Sequence, residues 1–137
     1  MIDTNIRHAE ATWTGCMTFR GGGPGGPETI IDADGKEAPG PMLTMLLALA
    51  SCSGADVVSL MPKMQVELER FTIAVRGERA PEHPRRWIRI HFTMTLAGKG
   101  LDETKARRAI DLSIEKYCSA INSLNPDIPV SYDLVLA

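Results

Sequence analysis

Residues 42–61, MLTMLLALASCSGADVVSLM, are twenty largely apolar positions in a row. This run limits the fold more than anything else in the chain. As a helix it has the length of a bilayer span. Asp56, Gly54 and four Ser or Thr residues interrupt it, and an ionisable side chain in hydrocarbon is costly. The run is therefore expected to be a helix buried on nearly all sides inside a protein. Pro39-Gly40-Pro41 introduces it, since proline is tolerated in a first helical turn. Pro62 ends it near Leu60.

Around this helix the sequence supplies amphipathic pieces. Residues 10–20 alternate as a half-buried strand, with Trp13, Gly15, Met17 and Phe19 on one face. GGGPGGP (21–27) reads as a turn or mobile loop. Glu28–Asp32 is a short strand before the turn signal Asp34-Gly35. Val66 and Leu68 alternate, then Phe71, Ile73 and Val75 alternate in the other phase. That change predicts a bulge near Glu69-Arg70. Ile88, Ile90, Phe92, Met94 and Leu96 define a regular strand closed by Gly98-Lys99-Gly100. Asp102 is a candidate N-cap. A second helix is expected to run to about Leu124, with an apolar stripe of Ala106, Ile110, Ile114, Tyr117, Ile121 and Leu124. A last strand alternates from Ile128 to Leu136. The order is β-β-α-β-β-α-β with room for a third N-terminal strand. It predicts an α+β fold of largely antiparallel sheets with two main helices, in one domain over 1–137. A small sheet cannot cover a helix that is apolar all round, so a homodimer is expected to supply the rest.

Composition removes several function classes. A net charge of −2 and a pI near 5.9 give no general attraction to nucleic acid or to an anionic membrane. MIDTNIRHAE lacks the apolar run of a signal peptide, which favours a cytoplasmic location. Cys16, Cys52 and Cys118 contain no C-x-x-C pair, so neither a disulfide framework nor a zinc-finger pattern is present. His8, His83 and His91 lack ligand spacing, and no metal or other cofactor is expected. The loop 21–27 lacks the Lys-Ser/Thr of a phosphate-binding loop. Arg76, Arg79, Arg85, Arg86 and Arg89 alternate with acids and read as a solvated face.

The cysteines remain. Cys52 sits in Ser51-Cys52-Ser53-Gly54, the polar interruption of the apolar helix. Cys118 sits in Tyr117-Cys118-Ser119 on the second helix, beside its apolar stripe. A nucleophilic thiol needs a lowered pKa, and a helix start or a nearby cation supplies it. Cys52 is about three turns into its helix, too far for the helix start to help much, so it needs a basic partner from elsewhere. Asp56, one turn on, shares its face and opposes thiolate formation. A buried Asp of this kind is expected to be held by a backbone donor or a basic group. Inert buried cysteines fit the same positions; Cys16, on a threonine-rich strand face, is read that way.

Pro41-Met42 followed by LLALASCSGADVV, then Lys63, RGERAPEHP and AIDLSIEKYCSAINSL, resemble the OsmC/Ohr family of osmotically induced and organic hydroperoxide resistance proteins. The resemblance runs from about Trp13 to the C-terminus. It implies an intertwined α+β homodimer with active sites at the subunit interface. It implies a peroxidase that reduces organic hydroperoxides. Cys52 would be the peroxidatic thiolate, Cys118 the resolving thiol, and Arg20 the activating cation. An external dithiol, lipoyl-type or thioredoxin-like, would restore the thiols. The family's Glu two residues after the helix Pro is Leu43 here, and no acid lies within a turn of it. That departure keeps a second reading open: a non-catalytic dimer of the same fold that binds a small hydrophobic or electrophilic ligand at the subunit interface.

Overall fold

A computed structural model describes residues 5–137. The chain divides into two compact units, Met1–Met45 and Leu46–Ala137.

The first unit is an antiparallel meander of β1 (Glu10–Gly15), β2 (Thr18–Gly22) and β3 (Glu28–Asp32), with β2 in the centre. The single strand expected over 10–20 is a hairpin. Gly15 (φ 130°) and Cys16 (φ 48°) turn the chain over, and the indole N–H of Trp13 donates to the Cys16 carbonyl at 2.8 Å. A residue pair with positive φ cannot continue a pleated strand. Cys16 is thus an exposed turn residue rather than a strand residue. After β3, the buried Asp32 carboxylate accepts from the backbone N–H groups of Asp34, Lys36 and Glu37 at 2.9–3.1 Å. The Glu37 bond is the main reason its carboxyl lies below the ordinary range. These bonds fix the turn that leads into the long helix.

That helix, α1 (Pro41–Leu60), starts in the first unit and continues into the second. Pro62 follows its end as expected. Its buried residues are Leu46, Leu49, Ala50, Ser53, Gly54 and Val57, which is the 3–4 spacing of a single face. The expectation of burial on nearly all sides is not met within one chain. Leu43, Met45, Leu47 and Val58 are exposed, because a three-stranded sheet has area for one face only. By length and hydropathy, α1 and the following turn are apolar enough to cross a membrane, the same ambiguity that the sequence carries.

The second unit adds β4 (Glu67–Arg79), β5 (Trp87–Lys99), α2 (Glu103–Leu112) and β6 (Val130–Leu136), with sheet order β4-β5-β6. The register of β4 against β5 shifts between Leu68 and Arg70, where the alternation changes phase in sequence. Ile90, Phe92, Met94 and Leu96 of the central strand are fully buried, with Val57, Met61, Ala106, Ala109 and Ile110. Asp102 caps α2 by accepting from the Lys105 N–H at 2.8 Å. One pairing differs from expectation: β6 runs parallel to β5. The connection between them contains α2, and a crossover of that length is what a parallel pair requires.

Gly77 on β4 lies under the buried Trp87, and a Cβ there would come within 2.6 Å of the indole ring. A Gly77→Ala substitution is expected to lower unfolding free energy by about 1–3 kcal/mol through overpacking, measured by urea denaturation against the parent chain.

Candidate functional site

Cys52 and Asp56 share one face of α1 because they are a single turn apart. Both are half-buried, and Ser53 between them is fully buried. A buried hydroxyl needs a partner. Ser53 finds it in Ser113, immediately after α2, with the two Oγ atoms 2.9 Å apart. The Ser113 hydroxyl in turn donates to Asp56 Oδ2 at 2.9 Å. Since that uses its only proton, Ser53 is the donor in the first bond. Among the described residues Asp56 is therefore held by a hydroxyl on the neighbouring element, not by the backbone donor or basic group expected from sequence.

Beyond Ser113 the chain departs from expectation. Regular helix ends at Leu112 instead of continuing to about Leu124. The backbone widens, and the Cys118 N–H donates to the Ser113 carbonyl at 2.7 Å, five residues back. Cys118 itself is extended, with φ −73° and ψ 102°. Two interactions account for the break. Ser113 turns its hydroxyl inward to α1. Asn122 donates its side-chain amide to the carbonyls of Ile114 (3.1 Å) and Cys118 (2.9 Å), the first a group that a continuing helix would have paired. Cys118 is thus not a helical residue, and the wide turn brings it inward.

The Cys118 side chain is fully buried, and its sulfur accepts from the Ile121 N–H at 3.4 Å. Burial is the main cause that pushes this thiol up to about 11, and the Ile121 bond opposes it. A hydrogen bond with the Cys52 thiol and the charge of Asp56 add to the rise. The two cysteines are free thiols, one half-exposed and the other sealed in.

Arg20 belongs to the first unit. It is exposed on β2, opposite Thr12 of β1 and Ile30 of β3. There it lines a hollow of about 580 Å³ with Glu10, Thr12, Glu28 and the glycine loop. Leu43, in the first turn of α1, is exposed, and that turn carries no acid. His91, on the outer face of β5, contacts Ser131 Oγ (2.7 Å) and Asp133 Oδ2 (3.0 Å). Among the described residues no group of three metal-binding side chains converges. The arginine cluster pairs at the surface, Arg86 with Asp127 at 2.6 Å and Arg89 with Glu78. Sequence reasoning gave Ser113 and Asn122 no role.

The profile of the OsmC-like protein family matches residues 33–133. The chain belongs to the OsmC-like family. It is 33% identical over 132 residues to protein YhfA of Escherichia coli, a match that covers 94% of this chain and 98% of that one. The crystal structure of an OsmC-like protein from Mycoplasma pneumoniae superposes with a TM-score of 0.84 at 17% identity, over 98% of this chain and 99% of that one. The organic hydroperoxide resistance protein OhrB of Bacillus subtilis shares the fold with a TM-score of 0.62, again at 17% identity, over 94% and 97% of the two chains. This α+β family member therefore has the fold that the cysteine segments implied.

Three outcomes follow from this geometry. Ser113→Ala strands a buried hydroxyl and a carboxylate, and is expected to cost about 1–3 kcal/mol of stability, read by urea denaturation. Iodoacetamide at pH 8 is expected to label Cys16 and Cys52 in the folded chain and Cys118 only after unfolding. Because the Cys118 thiol is raised from 9.0 to about 11 on folding, the folded state binds its proton longer. Its stabilising contribution is complete below pH 9 and is lost as pH rises to about 11. Cys118→Ala removes that part of the alkaline fall in a pH series of melting curves.

Proposed function

We propose that this OsmC-like protein is a thiol peroxidase for organic hydroperoxides, with Cys52 as the attacking sulfur and Cys118 as the resolving one. The observation that carries the reading is the presence of two unlike thiols, half-exposed Cys52 and buried Cys118, near enough for Cys52 to raise the pKa of Cys118. The accessible thiol can meet a substrate. The buried one favours the neutral form and is held in reserve beside it. The Leu-, Met- and Val-rich helix around Cys52 suits an alkyl peroxide better than hydrogen peroxide.

The Cys52 thiolate attacks the outer peroxide oxygen, and the O–O bond breaks. The alkoxide takes a proton and leaves as an alcohol, and Cys52 becomes a sulfenic acid. The Cys118 sulfur then displaces hydroxide from Cys52, giving a disulfide and water. An external dithiol returns both thiols by exchange and leaves as its own disulfide. Arg20 is the cation we assign to thiolate activation, because a guanidinium stays charged in any surroundings and offers donors to both sulfur and oxygen.

We further propose a homodimer of this domain. Exposed Leu43, Leu47 and Val58 on α1, with Trp13, Met17 and Phe19 in the first unit, are large apolar groups that a second copy would cover. The non-catalytic binding reading draws on the acid-free first turn of α1 at Leu43.

Turnover of cumene hydroperoxide with a dithiol separates the two readings. Cys52→Ser is expected to abolish it. Cys118→Ala is expected to consume one peroxide per chain and stop at a sulfenic acid trapped by dimedone. Unchanged turnover in Cys52→Ser would favour the binding protein.

A further inference from the structure

The parallel pairing of β6 with β5 sets a serine, a histidine and an aspartate side by side. Ile90, Phe92 and Met94 of β5 face the core, so His91 between them faces outward. Ser131 of β6 is the Cα partner of His91, and Asp133, two residues on, lies on the same face. The imidazole joins them: Nδ1 is 2.7 Å from Ser131 Oγ, and Nε2 is 3.0 Å from Asp133 Oδ2. An ionised carboxylate can only accept. Asp133 therefore keeps the proton of the neutral ring on Nε2, which donates to Oδ2. Nδ1 is left with its lone pair, and the Ser131 hydroxyl donates to it. Both bonds then run in the direction in which a histidine draws the proton from a serine.

We propose that Ser131, His91 and Asp133 form an acyl-transfer site on the outer face of this sheet, a second activity that hydrolyses small activated esters and does not use the cysteines. Ser131 Oγ attacks the acyl carbon as His91 Nδ1 takes its proton. The C–O bond to the leaving group breaks. The leaving oxygen takes the proton from His91 and departs as an alcohol or phenol, and the acyl group stays as an ester on Ser131. Water then attacks this ester and gives a proton to His91. The carboxylic acid departs, and His91 returns the proton to Ser131 Oγ. No electrons are transferred, and water is the co-reactant. Asp133 is a positioning residue: it holds the ring and its tautomer, and favours the imidazolium that forms in between.

The surroundings set the substrate class. Ser131 and Asp133 are exposed and the His91 side chain is 29% exposed, so the hydroxyl meets solutes directly. The backbone N–H groups of β5 and β6 serve the strand ladder, and stabilisation of a negative acyl oxygen falls to side chains. Arg76 of β4 is the Cα partner of His91 on its other side. It is exposed and makes no ion pair among the described residues, whereas Arg89 on the same face is held by Glu78. A guanidinium in that row supplies positive charge as the acyl oxygen becomes negative. An open face of this kind depends on a leaving group that departs readily, which selects aryl esters over amides and peptides.

The full-length chain, its accessible thiols first blocked with iodoacetamide, is mixed with p-nitrophenyl acetate. Blocking the thiols makes the result independent of the peroxidase reading. The parent chain is expected to release p-nitrophenol catalytically, and Ser131→Ala to abolish that release. His91→Gln is expected to slow it about 100-fold, the range of a lost general base. Release that persists in Ser131→Ala overturns the inference, because a lone imidazole or a lysine then accounts for it. Asp133→Asn can accept or donate, so it no longer fixes the ring. The imidazole nitrogen NMR shifts of His91 are expected to move from the Nε2–H tautomer toward Nδ1–H as the rate falls, a signature that a packing defect would not create. An unchanged tautomer and rate overturn the role of Asp133. Should a variant fail to fold, the parent chain still decides. Phenylmethanesulfonyl fluoride leaves an adduct that does not turn over, and peptide mapping is expected to find it on Ser131. An unmodified Ser131 overturns the inference.

Discussion

The second unit depends on one short chain of hydroxyls. Ser53 donates to Ser113, and Ser113 donates to Asp56. These bonds join the middle of an apolar helix to the end of an amphipathic one, in a place where hydrophobic packing alone would set no register. Neutral hydrogen bonds contribute about 1 kcal/mol each, and bonds to a charged acceptor contribute more. Their main effect here is positional. With Ser113 fixed, its carbonyl takes the Cys118 N–H from five residues on, the helix opens, and the Cys118 thiol is carried into the core.

The same arrangement makes the two thiols different. Both are free, yet one lies in the core under the influence of a carboxylate while the other reaches the surface. A pair of equivalent thiols would have no order of reaction. Burial, the neighbouring sulfur and Asp56 all favour the protonated form of Cys118, so attack on an external oxidant falls to Cys52. The polar interruption of the long helix thus accounts for both the docking of the elements and the asymmetry of the pair.

Much of this was legible in the chain. The alternation from Ile88 to Leu96, the phase change near Glu69, the Asp102 cap and the Pro62 stop are local signals, and each corresponds to a feature of the fold. The misreadings have one local cause and several nonlocal ones. Cys16 looked like a strand residue because alternation carries through a tight turn. The second helix looked continuous to Leu124 because its stripe keeps a helical period, while the break is imposed by partners on α1 and by Asn122. The parallel pairing of β6 follows from a connection through α2 that strand patterning does not encode. For the site, the two cysteines were visible by their polar setting in an apolar run. Ser113 was hidden because a serine acquires meaning only when its partner sixty residues away is known.

The account stands on Cys52 and Cys118 forming one reactive pair within a single chain. Its most direct measurement is peptide mapping by mass spectrometry after reduced protein is treated with one equivalent of an organic hydroperoxide. The account predicts a single intrachain crosslink joining the peptides of Cys52 and Cys118, with Cys16 left as a free thiol. A crosslink that includes Cys16, or three unmodified thiols after the peroxide is added, would contradict it.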